Sequence, residues 1–558
     1  MNGPDATWSQ EPDGDLASFQ RRNLLRLGTM AAGFTGATAL SGLMSTGAQA
    51  APPPKDPAAS YVSQTTMTNE LDKKVAKDEL IVNVKDHGAK GNAVRNASGG
   101  FIAAGSNKFK GNGFAAEDVG KYCAIVGAGP GATLLETVIA DVQGPTSITL
   151  GSAASTSVAD GAYLFGTDDT AAIQAVLDGV NDSSYTQVFF PRGSYLTGGL
   201  QLKNNTQLIG AGRGAWAYEF YARTTRLIAK PGLAAPGLIT DYSGQQVGNV
   251  RITDMMLDGA RAFHSTACTG IYLSDSKIGA DSLWSLERVY VGFFSGDALY
   301  FGAFRRGNRV NDCHFWQCRG SGARIDGTDN SFMQCMFAQN DSDGVLMNQG
   351  ANHFYGCDIF SNGGHGVSIA PFGRMNQFTN CFFDINKKSG IYNTAKNLSL
   401  TQCRFASNSQ AADGVYPDVD IVGGPPGCSL VNPSFYAVAG LTNLPHSGIR
   451  ALGNAGANLV YVTGFSHDPG VTTWRTGSYV EVCVGMLHKG FAFSDGAVIS
   501  TGTVNGTRFG ADAANKLAFF GSLPVTRPSV GPAATDPAST QALINELRAK
   551  LISLGLIA

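Results

Sequence analysis

Two stretches carry the residue types that catalysis needs, at a spacing that brings them together. Asp341-Ser-Asp343-Gly is followed by Gly363-Gly-His365-Gly-Val-Ser-Ile369, which puts His365 22 residues after Asp343. Each of these two residues precedes a glycine of the series Gly322, Gly344, Gly366 and Gly390, so they occupy one repeating position. Aligned on that glycine, the residues just before it are Asp297, Ser321, Asp343, His365, Ser389 and Asp413. Two residues after it come Tyr272, Tyr300, Arg324, Leu346, Ser368, Tyr392 and Tyr416. Carboxylates on nearby turns of a repeat suit acid–base work, and inverting glycoside hydrolysis asks for a separation of about 6.5–9.5 Å. Tyrosine faces stack on sugar rings, and arginine grips acidic groups. The candidate catalytic residues are therefore Asp343, His365, Asp341 and Asp297, with Arg324, Tyr300, Tyr392 and Tyr272 as substrate contacts. Asp, Ser, Asn and His are also ordinary turn formers, so binding without catalysis and plain turn chemistry compete with this reading.

The element that must position these residues is a repeat. Val310-Asn-Asp-Cys-His-Phe recurs as Phe332-Met-Gln-Cys-Met-Phe, Phe354-Tyr-Gly-Cys-Asp-Ile, Phe378-Thr-Asn-Cys-Phe-Phe and Leu400-Thr-Gln-Cys-Arg-Phe. The cysteines Cys313, Cys335, Cys357, Cys381 and Cys403 step by 22, 22, 24 and 22 residues. Five residues after them stand Cys318, Asn340, Asn362, Asn386 and Asn408. A period in this range marks a solenoid whose coils contact only their neighbours. The apolar residues of each phrase alternate as a half-buried strand requires, which gives an all-β parallel β-helix. Asn side chains would then bond up one column, while Cys and Phe stack inside. Coils about 4.8 Å apart make Asp343 and His365 neighbours and place Asp297 two coils from Asp343.

Composition agrees. The 558 residues include 71 glycines, only 15% charged residues and a net charge of −2, which lacks the basic footprint of a nucleic-acid binder. Of ten cysteines, five share the inward column and read as buried thiols rather than a disulfide framework. Gln20-Arg-Arg-Asn-Leu-Leu-Arg26, an uncharged stretch to Leu43 and Ala48-Gln-Ala50 resemble a twin-arginine export signal, which implies a secreted protein with no membrane span in the mature chain.

Further along, Val82-Asn-Val-Lys-Asp-His-Gly-Ala-Lys-Gly91, Gly166-Thr-Asp-Asp-Thr-Ala-Ala-Ile-Gln174 and Val188-Phe-Phe-Pro-Arg-Gly-Ser-Tyr-Leu196 follow one another. This order resembles the opening of the pectate-lyase-like superfamily, except that residues 93–165 separate two halves that are usually adjacent. The resemblance implies a right-handed parallel β-helix with an amino-terminal capping helix, started by Thr167 or Asp168, and makes the interruption a small β insert. Gly363-Gly-His-Gly-Val-Ser-Ile369 is similar to the Gly-His-Gly-x-Ser-Ile motif of family 28 glycoside hydrolases, which implies an acid or base at Asp343 or Asp341 and an orienting role for His365. The chain departs from that family in that Ser342 splits the carboxylate pair, Ser321 stands where a further Asp is expected, and Gly390-Ile-Tyr392 replaces Arg-x-Lys.

The expected organisation is a signal at 1–50, a linker and short helix at 51–80, a first strand and β insert at 81–165, the solenoid at 166–440, an irregular β region at 441–530 and a tail helix at 531–558. Lys516 to Pro528 resembles the ends of phage tail-spike proteins, and Leu543, Leu547, Leu551 and Leu554 form a stripe suited to a homotrimer. The function expected is a glycoside hydrolase cleaving a polysaccharide on the solenoid face. The alternatives are a non-catalytic adhesin or tail-fibre-like protein, and a polysaccharide lyase or epimerase. Hydrolysis needs no cofactor or metal, whereas a lyase would call for Ca²⁺ held by carboxylates with Lys or Arg as base.

Overall fold

The computed structural model describes residues 81–180, 185–214, 224–233, 236–241, 247–274, 282–422, 427–445, 448–451, short strands beyond these, and 532–554 with 556–557. The signal and linker expected at 1–80 lie outside the described residues.

Each cysteine phrase forms two strands rather than one. Arg309–Asn311 and His314–Trp316 lie either side of Asp312, and the same pair recurs as Ser331–Met333 with Met336–Ala338 and His353–Tyr355 with Asp358–Phe360. The residue before each cysteine is left-handed, with φ of 50° at Asp312, 52° at Gln334, 61° at Gly356, 54° at Asn380 and 53° at Gln402. The corner turns the chain while Val310, Cys313 and Phe315 all stay fully buried, so an alternation that reads as one strand is two strands meeting at a bend. Further left-handed corners fall at Gln317, Gln339, Ser361, Ile385 and Ser407, and at Asp329, Ala351, Met375 and Asn397. Three corners give each coil three faces. Each non-glycine corner costs about 1–2 kcal/mol and persists because the parallel ladders on both sides hold it.

The columns explain that hold. Phe332, Phe354 and Phe378 stack at 4.6 and 4.7 Å, nearly parallel. Cys313, Cys335, Cys357, Cys381 and Cys403 are buried and free, and Cys483 lies outside the described residues. Asn340 donates its backbone N–H and Nδ2 to Oδ1 of Asn362, which repeats the pattern with Asn386, and Asn386 with Asn408. A second ladder, Asn308 to Asn330 to Asn352 to Asn376, runs at another corner. Glycine is required beside the first ladder. A Cβ on Gly344 would lie 2.6 Å from the Gly366 carbonyl oxygen, and one on Gly366 2.5 Å from that of Gly390.

The first rung is Ile81–Asn83, paired in parallel with Thr186–Phe190. Helix α1 (Thr170–Asp178) buries Ile173, Val176 and Leu177 against the solenoid core. Its N-cap position is Asp169 rather than Thr167 or Asp168, but the Asp169 carboxylate is spent on the backbone N–H groups of Lys90 (2.6 Å) and Gly91 (2.9 Å), and Asp168 Oδ1 accepts the helix's first N–H, that of Thr170, at 3.0 Å. The expected insert is a closed six-stranded barrel between Val94 and Gly166 with its own core around Phe109, Tyr163 and Phe165. It packs on the solenoid through Ala124 and Leu164 against Leu196, Ile228, Ala260 and Phe263. Arg95 of the barrel also pairs with the buried Asp258, 2.9 Å away, which Arg226 holds from the solenoid side.

The ladder outlasts the sequence period. Val460–Thr463, Ser466–His467 and Val480–Val482 still stack on the coil before them, where an irregular region is expected from 441. Loops between coils lengthen there, so the spacing changes while the pairing continues. The coil after Cys403 also shifts the expected alignment. Val419–Ile421 pairs with Ile391–Asn393, so Asp418 takes the glycine position and Asp420, not Tyr416, follows Tyr392 in its column. At the far end, helix α2 (Pro537–Ser553) is N-capped by Asp536, and none of its side chains is buried.

Candidate functional site

Where the residue before the glycine is Asp or His, its side chain has a structural task. Asp297 Oδ1 accepts the backbone N–H of Ser321 at 2.6 Å, and Asp343 Oδ1 accepts that of His365 at 2.7 Å. His365 Nδ1 accepts the N–H of Ser389 at 3.2 Å, and Asp413, which the shifted alignment takes off this column, accepts that of Leu444 at 3.1 Å through Oδ1. Each such side chain thus satisfies a donor one coil on. For His365 the bond also fixes the tautomer, because an accepting Nδ1 leaves the proton of the neutral ring on Nε2.

A cleft of about 590 Å³ opens over three successive coils, lined among others by Asp341, Asp343, His365, Ser368, Lys388 and Tyr392. Gly363 and Gly364 form its floor, since a Cβ on Gly364 would fall 2.1 Å from Asp343 Oδ1. Burial raises the Asp343 carboxyl above its ordinary range, against the opposing pull of the Ser368 hydroxyl, the His365 N–H and the charge of Lys388. Burial, with Lys388 adding to it, pushes His365 down to about 4, so the imidazole is neutral at physiological pH. The Tyr392 ring lies 4.9 Å from that of His365, and Tyr416 approaches edge-on at 6.2 Å.

The candidate residues separate into two groups. Asp341, Asp343, His365 and Tyr392 meet in the cleft. Asp297, Tyr272, Tyr300 and Arg324 lie on earlier coils and do not line it. There Tyr272 and Tyr300 stack at 4.8 Å, Arg324 sits 5.2 Å over the Tyr300 ring, and both Tyr300 and Arg324 bond Asp326 Oδ2. Asp341 has a cation beside it, with Arg261 Nη1 3.4 Å from its Oδ2. Glu287, another charged residue of the solenoid, is engaged by Arg251 and Arg288.

Lys388 is the residue that sequence reasoning missed. Among the described residues it is the only cation lining the cleft. Its signal was present, since the positions two before the glycine read Gly296, Gly320, Ser342, Gly364 and Lys388, a lysine in a column of small residues. Among the described residues no three His, Cys, Asp or Glu side chains cluster as a metal site would require.

Residues 236–423 match the family profile described as right handed beta helix region, and residues 159–287 match that of rhamnogalacturonase A/epimerase, pectate lyase-like. The chain is thus a right-handed parallel β-helix protein with a pectate-lyase-like opening. It is 30% identical over 139 residues to mannuronan C5-epimerase AlgE1 of Azotobacter vinelandii, a match covering 23% of this chain and 9% of that protein. It is 28% identical over 135 residues to alginate lyase 7 of the same organism, covering 22% and 15%. Among solved structures, the A-module of A. vinelandii mannuronan C-5 epimerase AlgE4 aligns with a TM-score of 0.45 at 18% identity, over 58% of this chain and 95% of the module. The enzymatically active domain of bacteriophage CBA120 tailspike protein 2 aligns with a TM-score of 0.42 at 13% identity, over 71% and 59%.

Proposed function

We propose that the cleft acts on an acidic polysaccharide by removing the proton on the carbon next to a uronate carboxylate, as a C5-epimerase or a lyase. The observation that carries this reading is the company Asp343 keeps: one lysine, one neutral histidine and one tyrosine, with the other carboxylate of the cleft engaged by Arg261. Hydrolysis uses two carboxylates, and the second one here, Asp341, stands at the open rim beside Arg261. Proton abstraction beside a carboxylate needs the negative charge that develops there to be stabilised, which a cation in a sheltered cleft does well. Lys388 supplies that charge. His365 adds a neutral Nε2–H donor that cannot be lost by titration near neutrality. Asp343, whose burial makes it a stronger base than an exposed carboxylate, and the Tyr392 hydroxyl are then the groups that take and return the proton. If the bond to the leaving O4 breaks, an unsaturated end results; if the proton returns from the opposite face, the sugar is inverted.

The short matches to a mannuronan C5-epimerase and an alginate lyase support the substrate class. The test is a panel of polyuronates and neutral glycans, assayed with and without added Ca²⁺. Product absorbing in the ultraviolet, or epimerised residues detected by NMR, is expected on polyuronates alone. New reducing ends without ultraviolet absorbance would return the cleft to hydrolysis. No change in any glycan, together with saturable binding, would favour the adhesin reading.

A further inference from the structure

The cleft has a second cation at its rim that the proposed chemistry does not use. Arg261 lies on the loop between the strands Arg251–Asp258 and Thr269–Leu273 and reaches forward to the coil corner at Gln317, whose carbonyl oxygen accepts its Nη1–H at 3.0 Å. The same Nη1 is 3.4 Å from Asp341 Oδ2, with the two side chains 34% and 57% exposed. A long ion pair this open to solvent contributes little to stability, so its worth is to be sought elsewhere.

Its position is informative. Asp341 lines the first of the three coils that make the cleft, and Lys388 the third. Two coil steps separate them, roughly 10 Å along the solenoid axis. That advance is comparable to the length of a disaccharide. A polyuronate lying along the axis with one carboxylate at Lys388 would bring the carboxylate of its next-but-one residue to the Asp341 end. There Arg261 already holds a carboxylate, on a side chain that can turn into solvent. Between the two cations Gly363 and Gly364 leave a floor without side chains, over which a chain can lie.

We infer that Arg261 is a remote carboxylate-binding subsite for an acidic polysaccharide lying along the solenoid axis, with Asp341 occupying the place of the substrate carboxylate until substrate displaces it. This rests on the acidic-substrate reading above and adds an orientation and a length requirement to it. It also gives the barrel a role. The loop carrying Arg261 is pinned by Phe263 and Ala260, which pack against Ala124 and Leu164 of the barrel. Arg95, also of the barrel, binds Asp258 just before the loop. The insert therefore fixes the height of the arginine above the cleft.

The experiment measures binding of oligomannuronates and oligogalacturonates of graded length to the full chain by calorimetry, with neutral cello-oligosaccharides as controls, for the wild type, Arg261→Gln and Asp341→Asn. Arg261→Gln is expected to weaken long oligomers about 10-fold and to leave oligomers too short to span both cations unchanged. Asp341→Asn, which removes the competing carboxylate, is expected to tighten long oligomers or leave them unchanged. Circular dichroism and thermal unfolding confirm that both variants are folded. If no uronate oligomer binds the wild type, the acidic-substrate reading itself fails. If oligomers bind and Arg261→Gln weakens all lengths equally or none, the subsite is overturned. The same holds if Asp341→Asn weakens binding.

Discussion

Asp297 and Asp343 occupy the same place two coils apart and make the same bond, accepting the next coil's N–H at 2.6 and 2.7 Å. Burial raises both above the ordinary carboxylate range. What differs is the company. Around Asp297 the neighbouring column offers Tyr272, Tyr300 and Arg324, already tied to one another and to Asp326. Around Asp343 stand His365 of its own column, Lys388 and Tyr392, about a cleft floored by two glycines. The turn carboxylate is a structural part common to both regions, and the proposed reactivity depends on residues one or two coils further on. A third carboxylate completes the comparison. Asp418, one residue further along the turn, is fully buried at the end of an Asn ladder, with Oδ1 accepting from Asn408 Nδ2 at 2.6 Å and Oδ2 without a partner.

The largest expected difference is in activity. Lys388→Ala should lower turnover on a polyuronate by about 100-fold or more, the scale for removing one preorganised charge-stabilising group. Arg324→Ala, changing the cation of the other region, should cost less than about 10-fold, a loss the same scale makes minor. Steady-state kinetics on both variants checks this, and equal losses would erase the distinction between the regions.

The third carboxylate should reveal itself through pH. Burial pushes Asp418 up to about 8, above its ordinary value near 3.8. The folded chain therefore keeps a proton that the unfolded chain releases as pH rises from about 4. Stability is full below that range and declines until about pH 8, where the folded state also ionises. Asp418→Asn should be close to neutral at pH 4 and stabilise by a few kcal/mol, to order of magnitude, at pH 8. Urea unfolding at the two pH values measures this, and a pH-independent difference would contradict it.

How much of this was legible in the sequence depended on whether a column was made of identical residues. The Cys and Asn columns repeat in kind, so the coil, its glycines and the Asp343–His365 adjacency could be read directly. The Asn308–Asn376 ladder is equally readable, with the same residue recurring at 22, 22 and 24. The corners were not legible, because left-handed φ falls on Gln, Ser, Ile, Ala and Met as well as on Asp, Asn and Gly, so no one turn residue marks them. Lys388 was overlooked because a single charge in a turn is usually only solvated. Tyr416 was misaligned because the insertion after Cys403 puts Asp418, not Gly414, where the glycine column continues. Pairing Asp341 with Arg261 required contact between residues 80 apart on different coils, which no local pattern encodes.

Smaller effects sharpen the structural half of the comparison. Gly366→Ala drives a Cβ to within 2.5 Å of the Gly390 carbonyl and should cost about 1–3 kcal/mol, the overpacking range. Calorimetric unfolding against Gly440→Ala, where nothing lies within 4 Å of the new Cβ but φ is left-handed, as that of Gly366 is not, separates the clash from backbone strain. Asp297→Asn keeps an acceptor for the Ser321 N–H and should change stability by under about 1 kcal/mol, with activity intact. Asp343→Asn should match it in stability and differ only in activity.

The most direct measurement of the central claim follows the proton itself. A polyuronate is incubated with the full chain in D₂O and the C5 position is read by NMR, for the wild type and Lys388→Ala. The account predicts deuterium in place of the C5 hydrogen, or loss of that hydrogen with the bond to O4 to leave an unsaturated end, in the wild type and little of either in the variant. Cleavage that leaves C5 protonated and every product saturated would contradict it.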